Sequence, residues 1–147
     1  MAEENLVHCI YTSSLTAGYD SSELDLILKK ARHNNEALDV SGMLLFDEGS
    51  FFQILEGEEP NVMTLFEKIS LDERHEHMVK IIFEPIEERS FYNWSMGVAH
   101  MTRQELAAVP GLNDFFADGN SLAQLDAGRA KSLLAAFRDG RYRSAIN

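Results

Sequence analysis

Gln53 stands in the run Phe51-Phe52-Gln53-Ile54-Leu55, which is apolar enough to be buried, and a buried amide has polar atoms that need partners. An amide bonded to nearby backbone, or facing solvent from a one-sided strand, would meet that need without any function. Tyr11 raises the same question, since a strand tyrosine is usually a core ring with its hydroxyl at the rim. Strand alternation puts Phe51, Gln53 and Leu55 on one face, and Tyr11 can share that face if its strand is a neighbour. A phenol beside an amide makes a hydrogen-bonded pair. Tyrosine can also give an electron and a proton to a sufficiently oxidising neighbour, a chemistry that needs a bound cofactor.

Asn34-Asn35 falls at the end of the first helical pattern, where asparagine often caps a helix. The functional alternative is recognition of a ring edge that alternates carbonyl and N–H groups, as a flavin's pyrimidine does, because an amide offers both acceptor and donors. Asp72-Glu73-Arg74-His75 follows the second helical pattern; its Arg and His suit the negative end of that helix, or else a phosphate or ribityl chain. Lys29, Lys30 and Arg32 add positive charge, most simply as a solvated face. The five histidines show no zinc-binding spacing, and no metal is expected. The G-x-S-x-G, G-x-x-x-x-G-K-S/T and G-x-G-x-x-G signatures are missing, which removes the best support for hydrolase and dinucleotide-fold readings.

These residues need elements to hold them. Leu6 to Ser13 reads as a strand with Val7, Cys9 and Tyr11 on one face and Leu6, His8 and Ile10 on the other, both apolar enough to be covered. Asp20 and Glu23 have capping-box spacing before a helix over about 21–34, with Leu24, Ile27, Leu28 and Ala31 at helical intervals. Val40 to Phe46 and Ser50 to Glu56 form a hairpin about Asp47-Glu48-Gly49. A second helix opens at Gly57 and Pro60, with Val62, Leu65, Phe66 and Ile69 as its stripe. Strands follow over Val79 to Phe83 and Trp94 to His100. The order β-α-β-β-α-β-β predicts an α+β, ferredoxin-like sheet with both helices on one face. The tail, with capping-box spacing at Thr102 and Glu105 and an amphipathic stretch from Ser121 to Arg138, is expected to cover the other face or to pair with another chain.

A length of 147 residues suits one domain with one sizeable core. The net charge of −11 disfavours nucleic acid and anionic membranes as partners and leaves protein or small-molecule partners. The lone Cys9 excludes an internal disulfide and suits a reducing compartment. An acidic, polar start and the lack of any apolar run near the roughly 20 residues of a membrane span make the expected location cytoplasmic.

Taken in order, Ile10-Tyr11-Thr12-Ser13, Asn34-Asn35, Ser41-Gly42-Met43-Leu44-Leu45, Phe51-Phe52-Gln53-Ile54-Leu55-Glu56-Gly57, Asp72-Glu73-Arg74-His75 and Trp94-Ser95-Met96 resemble the BLUF family of blue-light sensors from about Leu6 to Met101. The resemblance implies a non-covalent FAD inserted between the two helices. Tyr11 and Gln53 would be its photochemical switch, with Gln53 at N5 and the C4 carbonyl and Asn35 on the carbonyl edge. Ile27, Ala31 and Ile69 match positions lining the ring. Asn34, Arg32, Asp72, Arg74 and His75 complete the implied cofactor-binding set. In the family's mechanism the tyrosine gives up an electron and a proton, the pair recombines after the glutamine amide has rotated or tautomerised, and a red-shifted spectrum persists. Trp94 or Met96 would relay the change.

This similarity divides the chain into a flavin-binding core over 1–101 and a helical extension over 102–147 for output or oligomerisation. Asn34 departs from the histidine frequent in relatives, which leaves the details of flavin packing open. No catalytic unit is expected after the sensor, so output would pass through the tail, an oligomer or a downstream effector protein. The competing reading is a small flavoenzyme using the same pocket.

Overall fold

β1 (Leu6–Leu15) is buried along most of its length because both of its faces are covered, as its two apolar registers require. The computed structural model describes residues 5–16, 24–47, 49–72, 75–91, 97–99, 103–109, 112, 115, 122, 125–138 and 143–145. Beyond β1 the order is α1 (Leu24–Ala37), β2 (Ser41–Asp47), β3 (Ser50–Glu58), α2 (Glu59–Ser70), β4 (His75–Pro85), β5 (Gly97–Ala99), α3 (Arg103–Ala108), α4 (Ala127–Arg138) and β6 (Arg143–Ala145).

The strands form one sheet in the order β4-β1-β3-β2-β5-β6. Its first four members are antiparallel neighbours in the ferredoxin-like arrangement expected from the pattern. β5 joins β2 in parallel, and β6 joins β5 antiparallel. The β2–β3 hairpin turns at Gly49, whose φ of 81° is the conformation glycine adopts without steric cost. Gly42 on β2 sits so close to β3 that an added Cβ would lie 1.9 Å from the Ile54 carbonyl oxygen.

Parity along the strands sorts the core into two sides. Val7, Cys9, Tyr11 and Leu55 pack with Val62 and Leu65 of α2, and Leu44 and Phe51 pack with Ile27 of α1. Both helices therefore cover one face. Ile10, Met43, Leu45, Phe52 and Ile54 point the other way, where they meet Leu106 of α3, the buried Leu112, Phe115, Leu122 and Leu125, and Leu133 and Leu134 of α4. The tail thus covers the second face of its own sheet.

Several boundaries differ from the sequence reading. α1 runs to Ala37, three residues past the expected stop, and Asp39 rather than an asparagine takes the left-handed conformation after it, with φ 53°. Val40 N donates to the Asn35 carbonyl across this turn (2.8 Å). The capping residues Asp20 and Glu23 lie outside the described residues. β4 begins at His75, four residues before the expected Val79, because it is bulged: register shifts fall between Ile10 and Tyr11 and between Thr12 and Ser14, and His77 has φ 54°. α4 begins at Ala127 rather than near Ser121, since Asp126 caps it by accepting from Arg129 N (2.9 Å). Leu122 and Leu125 are buried before that helix starts. β6 was not expected.

Candidate functional site

Tyr11 and Gln53 are directly opposite each other in the β1–β3 ladder, so their side chains rise from the same face toward the helices. The Tyr11 hydroxyl donates to Gln53 Oε1, and both residues are buried. The pair that alternation made possible is therefore formed. Phe66 of α2 stands edge-on to the Tyr11 ring, with centroids 5.3 Å apart and planes at 82°. Burial pushes the phenol well above its ordinary pKa, and the neighbouring Cys9 adds in the same sense. Cys9 itself is pushed up to about 12 by burial, with Lys80 opposing. The phenol is thus kept protonated and aimed at the amide.

Gln53 also borders a cleft between α1 and α2 that opens to solvent. Ile27 and Ala31 from α1, Ile69 from α2 and Leu44 from β2 give it apolar walls, while Lys30, Asn34, Lys68 and Asp72 give it polar ones. Lys30 Nζ lies 3.6 Å from Asp72 Oδ2, so an ion pair links α1 to the end of α2 beside the cleft. Apolar walls with an amide between them suit a flat ring that has apolar faces and one polar edge. The chemistry of this lining fits a flavin.

The other expected site residues divide. Ile27, Ala31, Asn34, Ile69 and Asp72 are brought to the cleft, whereas Asn35 is fully buried in the last part of α1. Arg32 is not among the lining residues; its Nε donates to Glu36 Oε1 at 3.2 Å along the same helix. His75 opens β4 opposite Leu15, and its side chain is outside the described residues, as are Arg74, Trp94 and Met96.

Sequence reasoning missed three contributors. Lys68 enters the cleft from the last turn of α2. Lys80, opposite Tyr11 on β4, places its ammonium 4.9 Å from the Phe66 ring centroid and 5.0 Å from that of Phe83, which backs the tyrosine pocket with a cation. Glu56, three residues beyond Gln53, is a buried carboxylate that accepts from Ser41 Oγ (3.0 Å), Ser90 N (2.8 Å) and Phe91 N. Arg89 closes over it, donating to Ser41 Oγ and to the Glu56 carbonyl. The connection leaving β4 is thereby pinned to the end of β3. A carboxylate in an otherwise buried run was the available signal.

Comparison with known proteins agrees with this geometry. The chain is 36% identical over 114 residues to the photoactivated adenylate cyclase subunit alpha of Euglena gracilis, covering 76% of this chain and 11% of that protein. It is 30% identical over 120 residues to the blue light- and temperature-regulated antirepressor BluF of Escherichia coli K12, covering 82% of this chain and 29% of that one. The chain thus spans a small part, 13% and 11%, of the length of the cyclase subunits it matches. Among solved structures, the photo-activated state of BlsA superposes with a TM-score of 0.79 at 28% identity, covering 96% of this chain and 99% of that one. No helix among the described residues is long and apolar enough to cross a membrane. The family model for BLUF, sensors of blue light using FAD, matches residues 6–97, and with the fold and the cleft it places this chain in the BLUF family as a blue-light photoreceptor that uses FAD.

Proposed function

We propose that Tyr11 and Gln53 are the photochemical switch of this sensor, a reading carried by their buried hydrogen bond beside the cleft. FAD bound there supplies blue absorption and a strongly oxidising excited state. Tyr11 is the electron donor suited to it by position. Because burial favours the neutral phenol, loss of an electron would be coupled to departure of the hydroxyl proton, with Gln53 Oε1 the atom placed to receive it, and both would return to Tyr11 on recombination. A primary amide has an acceptor at one end and donors at the other, so a half-turn of Gln53 exchanges what it offers to Tyr11 and to the cleft. Two hydrogen-bond patterns then exist for one covalent structure, which is the bistable element a sensor needs.

Ile27, Ala31 and Ile69 hold the ring faces, and Asn34 and Asn35 recognise its carbonyl edge. Lys30 and Lys68, with Asp72, Arg74 and His75, serve the ribityl and phosphate groups; Arg32 joins them only by leaving Glu36. Trp94 and Met96, just before β5, relay the change to the extension over 102–147. The output is a contact with an effector protein or a second copy, in a cytoplasmic setting that suits the free, buried Cys9.

Blue illumination of the FAD-loaded protein is expected to give a reversible red shift. Gln53→Leu and Tyr11→Phe should keep the flavin and lose the shift, and an unchanged shift in either variant defeats the assignment.

A further inference from the structure

The switch and β6 share one transverse row of the sheet. Tyr11 is opposite Gln53, Gln53 opposite Leu44, Leu44 opposite Val98, and Val98 opposite Ser144. At roughly 4.8 Å per strand this row covers about 19 Å from β1 to β6. Leu44 also lies in the cleft wall with Gln53, so a change in that amide is felt by the first residue of the path.

Pairing weakens along the row. β1 and β3 pair from Leu6 to Ser14 and β2 and β3 from Ser41 to Asp47, but β5 meets β2 only over Gly97 to Ala99, and in parallel, the slightly weaker geometry. β6 is a three-residue edge strand whose ladder, among the described residues, is to β5 alone. Such an element belongs to the low end of local stability, where opening needs little free energy. The β5 edge beneath it would present backbone N–H and C=O groups to any extended chain.

We propose that β6 is a labile cover of the β5 edge, released when Gln53 changes its hydrogen bonds, and that the uncovered edge takes an extended, basic peptide segment of a protein partner. This rests on the switch assigned above. The strand already docked there indicates what fits: Arg143, Ser144 and Ala145 run antiparallel to β5, and Arg143 brings positive charge in a chain of net charge −11. Strand addition draws affinity from backbone hydrogen bonds, and an acidic protein favours a basic occupant.

The test is hydrogen exchange of the full FAD-loaded chain in darkness and under blue light, with absorbance recorded on the same sample. Amides of 97–99 and 143–145 should exchange at least several-fold faster in light while those of β1 and β3 hold. A labelled synthetic peptide of residues 141–147 should bind in light and not in darkness by fluorescence anisotropy. Alternate amides of a strand point to the same neighbour, so one of Ser144→Pro and Ala145→Pro removes a ladder donor. That variant should exchange fast at β5 and bind the peptide in darkness, with its red shift intact. A normal red shift with unchanged exchange at both segments overturns the proposal. Light-induced self-association without peptide binding overturns the partner in favour of a second copy. A missing red shift overturns the switch reading instead.

Discussion

Cys9 and Tyr11 sit two residues apart on the same face of β1, both buried to 0% exposure, and the burial that raises one acid raises the other. A group whose folded pKa exceeds its unfolded value contributes stability that is complete below the unfolded pKa and is lost as pH rises toward the folded one. For Cys9 that window runs from 9.0 to about 12, and Tyr11 extends it upward from its ordinary 10.0. Denaturant midpoints should therefore fall between pH 9 and 11, at up to about 1.4 kcal/mol per pH unit for each group. The fall should be shallower in Cys9→Ala, and an equal slope in that variant would contradict the burial argument.

Glu56 ties together Ser41, Ser90 and Phe91. Glu56→Ala would strand buried donors, each costing about 1–3 kcal/mol, and should destabilise the protein by several kcal/mol in urea unfolding. Glu56→Gln, which keeps one acceptor, should lose less. If both variants unfold like the parent, the carboxylate is not what pins this connection.

Gly42→Ala should be among the most damaging single-methyl additions in the sheet. The new carbon would meet backbone at Ile54, which cannot swing aside as a side chain can, so β2 and β3 must separate. Overpacking of this kind costs about 1–3 kcal/mol or more, and a thermal midpoint within a degree of the parent would show that the ladder adjusts freely.

Glu84 joins the sheet to the tail: His8 Nε2 lies 2.9 Å and Lys131 Nζ of α4 lies 3.4 Å from its Oε1. The hydrogen bond from His8 is the main cause of its lowered pKa, with Lys131 acting in the same sense. A depressed carboxylate contributes stability above its unfolded pKa and loses it as pH falls through the folded value. Because Glu84 is partly exposed and Lys131 largely so, Glu84→Gln should change global stability by no more than ~1 kcal/mol. Limited proteolysis after Lys131 should nevertheless quicken, and an unchanged cleavage rate would mean that apolar packing alone docks α4.

What could be read in the chain beforehand followed from strict local geometry. The period of two put Tyr11 and Gln53 on facing positions, and the glycine at position 49 marked the hairpin. The features that escaped depend on partners distant in sequence. Three of the four residues at the head of β4, His75, Glu76 and His77, are polar, and only bulged pairing with β1 makes this stretch a strand. The role of Glu56 is set by backbone donors more than thirty positions away. The adjacent asparagines 34 and 35 cannot be told apart by composition, yet one lines the cleft and the other is enclosed. β6 is too short for any periodicity to declare it.

β1 serves two masters by alternation: its odd positions look toward the cleft side and its even ones, Ile10 above all, toward the tail. A one-residue slip of β1 would exchange the two sets, carrying the phenol into the company of α3 and α4 and leaving an isoleucine opposite Gln53. The cleft side and the tail's seat are therefore inherited together through one strand, and neither can be re-registered without the other.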